Sequence, residues 1–289
     1  MEKKLNKIKV IVPFYNPGKF LETNVNSLLT QDYENYEILY VNDSSNDGSE
    51  LVIPSCYFKM KSDGTPELDL EGKPVIDNDK TPPILQMTKC KGVTLWNSSQ
   101  RNTALPNIHN GVINFCTDPD DIVVIVDGDD TLLGRGALSS VNDFFNEHDC
   151  WFSYGSCIWT SGHKDFSRPY SKENFDNIRK VPFQISHLRA WRAGAYHQIA
   201  KQDPEMKCFK DKNGEFLTMS YDTCLCFPLC EICGFDKVKH NSKQLYIYNR
   251  DNPISEDKVD QSLQTAVHME VSSRPSFKQV KDYKTGELV

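Results

Sequence analysis

Residues 122–132 read Ile-Val-Val-Ile-Val-Asp-Gly-Asp-Asp-Thr-Leu, and no other stretch constrains the chain as tightly. Consecutive β-branched apolar residues leave no polar face for solvent, which is the pattern of a strand covered on both sides in a parallel sheet. The run breaks at Asp127. Asp127, Asp129 and Asp130 thus stand at the carboxyl end of that strand, where open α/β sheets bind their ligands. With Asp118, Asp120 and Asp121 they place six carboxylates in thirteen residues with no Lys or Arg among them. A hard divalent ion, Mg2+ or Mn2+, held by one or two carboxylates and by substrate phosphates, satisfies Asp-x-Asp at a strand end. A solvated acidic turn is the simpler reading of an isolated Asp-x-Asp. The buried strand that aims this one shifts the balance toward a cation.

Upstream, Ile8–Phe14 reads as a first strand, closed by Pro13 and a Tyr15-Asn16-Pro17-Gly18 turn cluster. Phe20, Leu21, Val25, Leu28 and Leu29 recur at helical spacing, and Tyr36–Val41 is a second strand running into Asn42-Asp43-Ser44. Strand, helix and strand within some 35 residues make a βαβ unit, whose right-handed crossover brings both strand ends to one edge. Asp43 is therefore expected to face the same crevice as Asp127, although an Asx turn or a cap explains it equally well alone. Residues 59–83, rich in Pro, Gly and Asp, read as an inserted loop with a small hairpin near Asp63-Gly64 or Glu71-Gly72.

Downstream, Leu138, Val141, Phe144 and Phe145 outline a helix, and Trp151–Tyr154 a strand. A helical stretch is expected from His187 through Ile199, with Arg189 and Arg192 three apart on one face, where they suit a phosphate or carboxylate. Tyr221–Gly234 is apolar and helical with Asp222 near its amino end, where an Asp is usually a cap. Leu245–Tyr248 is a late strand, and Val259, Leu263, Ala266 and Met269 support a final helix. From Ser272 a loosely ordered tail is expected. Aromatic residues such as Trp159, Trp191 and Tyr196 suit sugar stacking, but more simply belong to the core.

Charge excludes one class of partner. The net charge is -7 and no Arg-rich run or basic face is present, so the phosphate neutralisation that nucleic-acid binding needs is missing. The charged amino terminus runs straight into a strand and no apolar run approaches bilayer length, so neither a signal peptide nor a transmembrane segment is read, and a cytoplasmic location is expected. Ten scattered cysteines then read as reduced, partly buried thiols; Cys224, Cys226, Cys230 and Cys233 suit one helix face better than a zinc knuckle.

Three stretches together match one pattern. Val-Pro-Phe-Tyr-Asn (12–16), Gln31-Asp-Tyr followed by Tyr36 through Ser49, and Val-Asp-Gly-Asp-Asp (126–130) resemble the signatures of family 2 glycosyltransferases of GT-A type. Weaker matches at Ser186–Arg192, Tyr221–Leu225, Leu229–Gly234 and Tyr246–Asn249 look like segments of one bacterial and viral branch. The resemblance spans roughly 8–255. It implies an α/β fold of GT-A type: a Rossmann-like, mostly parallel central sheet flanked by helices, with a smaller acceptor-side carboxyl part. The domain is expected over 1–255, its nucleotide-sugar half at 8–130 and acceptor half at 131–255, followed by a helix and tail at 256–289.

The resemblance also implies roles. Pro13, Phe14, Tyr15 and Asn16 belong to the nucleoside pocket, Asp43 to the base, most often uracil, and Asp127 to the ribose and diphosphate. Asp129 ligates Mn2+ or Mg2+, with Asp130 close behind. Arg101 or Asn107 corresponds to the family's Arg-Asn, and Asp222 to the general base of inverting members. His187, Arg189, Trp191 and Arg192 are candidates for acceptor or phosphate contacts. The implied donor is a nucleotide sugar, most often a UDP-sugar, and the acceptor a glycan, protein or small molecule. Tyr221-Asp222 departs from the family's common Glu-Asp. The Gln-x-x-Arg-Trp motif and membrane helices of processive synthases are absent, which argues for a soluble enzyme adding one sugar at a time.

Two other readings compete. Val126–Leu132 also resembles the Asp-x-Asp-x-Thr motif of haloacid dehalogenase-type phosphatases, whose first Asp is the nucleophile with a downstream Lys completing the site. Here a βαβ unit precedes the motif, and no Gly-Asp-x-x-x-Asp comes after it. The other is a sugar-nucleotide binding module without turnover, which the Tyr221 departure keeps open.

Overall fold

In the computed structural model, which describes residues 4–53, 56, 57, 59, 61, 67–70, 75, 92–163 and 165–289, β1 (Ile8–Phe14), α1 (Phe20–Leu29) and β2 (Tyr36–Asn42) form the βαβ unit. The strands pair in parallel, Ile8 opposite Tyr36 and Phe14 opposite Asn42, so Tyr15 and Asp43 leave the sheet at one edge. A two-residue β3 (Cys56–Tyr57) and β4 (Val93–Asn97) extend the sheet on the β2 side. Helix α2 (Ala104–Phe115) leads into β5 (Ile122–Ile125), which pairs in parallel with β1.

The carboxyl half adds β6 (Thr131–Leu132), α3 (Ala137–His148), β7 (Phe152–Trp159), α4 (Lys172–Asp176), β8 (Ser186–Arg192), α5 (Ala193–Gln202), α6 (Tyr221–Cys233), β9 (Val238–Tyr248), α7 (Glu256–Val259) and α8 (Gln261–Ser273). The strand order is β3-β4-β2-β1-β5-β8-β7-β9-β6. β8 runs antiparallel to both β5 and β7, and β6 to β9; every other pairing is parallel. The fold is therefore α/β with a mixed, mostly parallel sheet.

Alternation explains why the inner strands are apolar throughout. Ile11, Val123 and Ile125 point into one core with α2, α5 and α6, whereas Ile8, Val10, Val12, Ile122, Val124 and Val126 point into the other with α1 and α3. Each strand supplies both layers, so neither face is left for polar residues.

Two expectations are corrected. Residues 186–192 are a strand, not the start of a helix, which begins only at Ala193. Arg189 and Arg192, three apart, therefore project to opposite faces. The tail is also docked. Val280 is buried, Tyr283 packs edge-on against Trp151 at 5.1 Å, and Asp120 accepts from both Tyr283 and Lys284. Isolated apolar residues in a segment without period carry no sequence signal, yet each finds a socket. The hairpins expected near Asp63 or Glu71 lie outside the described residues.

Among the described residues eight cysteines are free thiols, seven of them buried, and burial pushes Cys150 and Cys226 up to about 12. Among the described residues no helix is long and apolar enough to cross a membrane.

Candidate active site

The parallel strands end together, and the loops leaving them line one cavity of ≈ 270 Å³. From β1 come Pro13, Phe14 and Tyr15, with the Arg101 guanidinium 4.0 Å from the centre of the Tyr15 ring. From β2 comes Asp43, buried, whose carboxylate accepts the backbone N–H groups of Asn102 and Thr103 at 2.7 and 2.8 Å. These bonds hold Thr103 at φ 73°, a region that β-branched residues avoid. Each carboxylate oxygen keeps a second lone pair for a ligand donor. Asn107, on the first turn of α2, lines the same cavity. Asn16 does not. Its N–H donates to Ser45 and its amide exchanges hydrogen bonds with Asn46, so it braces the β1 loop against the β2 loop.

The acidic run lies against β1. Gly128 donates its N–H to the Pro13 carbonyl at 3.1 Å, which brings Asp127 and Asp129 beside the wall formed by Pro13, Phe14 and Tyr15. Asp127 accepts from the Tyr221 hydroxyl at 2.7 Å on each oxygen. Asp129 accepts from the Asn252 amide at 2.6 Å, and Asp130 from the Tyr246 hydroxyl at 2.6 Å and the Asn249 N–H at 2.7 Å. Asp130 is buried and ties the strand end to β9 without lining the cavity. Burial, with the charge of Asp127 beside it, pushes Asp129 up to about 6, and burial and both neighbouring aspartates raise Asp130 well above its usual range.

His187 and Arg189 enter from β8 on the face that points into the cavity. The His187 ring stacks on Tyr246 and Tyr248, at 4.6 and 5.2 Å, with its Nε2 3.5 Å from Asp127. Burial, reinforced by Arg189, lowers its pKa, so the ring is neutral at pH 7. Arg189 donates to the Tyr221 hydroxyl at 3.2 Å and stands 3.7 Å from Asp222. Asp222 sits in the first turn of α6, accepts the Thr223 N–H at 2.8 Å, and lines the cavity.

This donor set fits a hard divalent cation. Ligand atoms of Asp127, Asp130 and His187 lie within 4.8 Å of one another, and the His187 Nδ1 is buried without a hydrogen-bond partner. Asp129, raised by burial and by its acidic neighbour, adds a further carboxylate at the cavity. Surplus negative charge is what a divalent ion relieves, and a neutral imidazole offers it a nitrogen lone pair.

Of the acceptor-side candidates, His187 and Arg189 reach the cavity and two others do not. Trp191 is in the core beside Tyr196, and Arg192, on the opposite face, donates to the Asn6 side chain and the Asp120 carbonyl. Trp159 packs on Tyr248 at 5.7 Å, outside the cavity. Sequence reasoning missed Thr103, Tyr248 and Asn252, and gave Tyr221 no contact. Only the Tyr246-x-Tyr248 alternation, which puts both rings on one face, carried a readable signal. No lysine lines the cavity among the described residues, so the partner that phosphatase chemistry requires at Asp127 is not in place there.

Comparison with known proteins agrees with this geometry. The family model "Glycosyl transferase family 2" matches residues 9–61, which hold the βαβ unit and the start of the segment beyond it. Glycosyltransferase GlyG of Streptococcus pneumoniae serotype 4 is 39% identical over 66 residues, 23% of this chain and 21% of that protein. The chain thus spans about a fifth of the length of such curated relatives. S. aureus TarS 1–349, solved with UDP-GlcNAc, superposes with a TM-score of 0.51 at 14% identity, over 85% of this chain and 59% of that one. The mannosyltransferase PcManGT from Pyrobaculum calidifontis, solved with GDP-Man and Mn2+, gives 0.51 at 15% identity, over 85% and 57%. Motifs, sheet order and strand-end acids thus converge: residues 9–61 match glycosyltransferase family 2, and the chain as a whole has the GT-A fold of the TarS and PcManGT structures.

Proposed function

We propose that the protein is a metal-dependent, inverting glycosyltransferase that moves one sugar from a nucleotide sugar, a UDP-sugar, to an acceptor hydroxyl. One observation carries this reading. A single cavity has a nucleoside-type wall at one end (Pro13, Phe14, Tyr15, Asp43, Arg101), a carboxylate, Asp222, at the other, and Asp127 and Asp129 between them. The similarity to TarS and PcManGT, solved with UDP-GlcNAc and with GDP-Man and Mn2+, supports a nucleotide-sugar donor.

Asp129, with Asp127 beside it, would hold Mn2+ or Mg2+, and the bound ion would supply Lewis-acid stabilisation of the departing diphosphate. The remaining roles fall to the chain. Tyr15 and Arg101, stacked on each other, form the wall against which the base lies, and Asp43 accepts a hydrogen bond from it. Asp222 takes the proton of the attacking hydroxyl as that oxygen bonds to the anomeric carbon and the diphosphate leaves. One such base, with no second carboxylate acting as nucleophile, makes the displacement direct and the outcome inversion.

The test is release of nucleoside diphosphate from a panel of UDP-, GDP-, CDP- and dTDP-sugars with Mn2+, with Mg2+ and with chelator, using water as acceptor. Metal-dependent release from a UDP-sugar, lost in Asp129→Ala, is the expected result. Silence across the panel with nucleotide still bound would point to the binding module, and phosphate release from a phosphomonoester would point to the phosphatase.

A further inference from the structure

Strand β8 brings a cation to a site whose other strand ends are acidic. Arg189 is 4% exposed, and a guanidinium so buried needs anionic or hydrogen-bonding partners. It has two. Nη1 donates to the Tyr221 hydroxyl at 3.2 Å, and that hydroxyl in turn donates to Asp127 at 2.7 Å. Nη2 stands 3.7 Å from Oδ2 of Asp222, too far for a hydrogen bond but within ion-pair range. The other oxygen of Asp222, Oδ1, is occupied by the Thr223 N–H at 2.8 Å.

The two oxygens of Asp222 are therefore unequal. The Thr223 N–H holds Oδ1, but the side chain is 32% exposed and carries a soft terminal torsion, so that one bond leaves open where the free oxygen points. Arg189, immobile on a buried strand, makes the choice: Oδ2 is attracted to the cation yet keeps its lone pairs. Tyr221, standing where the family commonly has Glu, completes the link to Asp127 without adding another carboxylate to a site already overcharged with Asp127 and Asp129.

Resting on the reading of Asp222 as base, we propose that Arg189 is the positioning residue of this site. It fixes Oδ2 of Asp222 as the proton-accepting oxygen and, through the Tyr221 hydroxyl, registers that oxygen against Asp127 on the donor side. In the step so positioned, the acceptor proton passes to Oδ2 as the new bond to the anomeric carbon forms and the bond to the diphosphate oxygen breaks. Arg189 itself exchanges no proton. Its contribution is orientation, which acts on turnover and not on donor affinity.

The test compares Arg189→Gln, Arg189→Lys, Tyr221→Phe and Asp222→Asn with the parent, on donor hydrolysis in Mn2+ and on UDP binding by calorimetry. Arg189→Gln is expected to lower kcat about 30-fold while donor KM and UDP affinity stay within about threefold. Arg189→Lys should recover part of that loss, and Tyr221→Phe should lower kcat about fivefold. If Arg189→Gln raised KM at unchanged kcat, Arg189 would be a donor-binding group and the proposal would fail. An active Asp222→Asn removes the base reading, and this inference with it. A dead Asp222→Asn beside a fully active Arg189→Gln removes the positioning role alone. A crystal structure of Arg189→Gln gives a measure independent of turnover: Asp222 in more than one orientation is expected, and one unchanged orientation overturns the proposal. Should Arg189→Gln not fold, the Arg189→Lys and Tyr221→Phe comparison decides the same question: unchanged kcat in both overturns the positioning role.

Discussion

Gly128→Ala should damage both stability and turnover, because the new methyl has nowhere to go. A Cβ on Gly128 would sit 2.4 Å from the Phe14 Cβ, 3.2 Å from the Pro13 carbonyl oxygen and 3.3 Å from the Phe14 Cα. Carbon atoms pack at about 3.5–4.0 Å, so the two strand ends must part by roughly 1 Å. No rotamer change relieves this, since the obstructing atoms are backbone or Cβ. Overpacking of this kind costs about 1–3 kcal/mol, and stretching the Gly128 N–H to Pro13 bond adds roughly 0.5–1.5. At about 2–4 °C per kcal/mol for a chain of this size, Tm should fall by roughly 3–18 °C. The same displacement moves Asp129 away from Phe14 and Tyr15, and misplacement by about 1 Å costs on the order of 100-fold in rate. Thermal unfolding and donor hydrolysis are the assays. Gly136→Ala is the control, because its methyl meets only the Ser139 hydroxyl at 3.6 Å. A Gly128→Ala protein that melts with the parent and turns over normally would refute the idea that this glycine permits close approach of β1 and the acidic run.

Glu231 holds Arg179 through two hydrogen bonds, at 2.5 and 2.9 Å, and caps the Phe277 N–H, with both charged side chains no more than 10% exposed. Glu231→Ala leaves a buried cation unpaired and should destabilise the fold by about 3–5 kcal/mol in urea titration, while kcat well below the melting temperature stays unchanged; a shift under about 1 kcal/mol would contradict the pairing. Stability should also fall with acidity through His109. Burial, with Lys210 nearby, lowers its pKa from 6.5 to about 4, and its Nδ1 faces the Tyr196 hydroxyl at 2.9 Å. Between those values the unfolded chain holds a proton that the folded chain does not, so this contribution is intact above pH 6.5 and lost as pH drops toward 4, about 3 kcal/mol in all. His109→Gln should flatten that part of the profile, and an unaltered slope would exclude His109 as its source.

The placement of the strand ends was legible because it rests on short-range pattern. A β-branched run that stops at Asp127, and a βαβ unit that stops at Asp43, fix which residues share an edge before any coordinate is known. The carboxyl half was harder. In Ser186–Arg192 the polar residues on one face turn toward the cavity instead of solvent, so the usual apolar-in, polar-out alternation is disguised, and arginines three apart imitate a helix. Tyr221 gave no warning of its contacts, since its partners Asp127 and Arg189 lie 94 and 32 residues away. The docked tail depends on Val280 and Tyr283 meeting sockets built by distant elements, which no local period can encode.

The alternation in β8 has a consequence for how such a chain can diverge. His187 and Arg189 face the cavity, whereas Leu188 and Ala190 face the core shared with α1 and α3. Inserting or deleting a single residue between Ile185 and Ala193 would present leucine and alanine to the ligand and bury imidazole and guanidinium in an apolar layer. Point substitutions can drift through this strand one at a time, but length changes cannot. Lineages descending from such a sequence should hold the spacing of this segment fixed even where the residues themselves turn over, and new specificities should arise by insertion in the flanking loops.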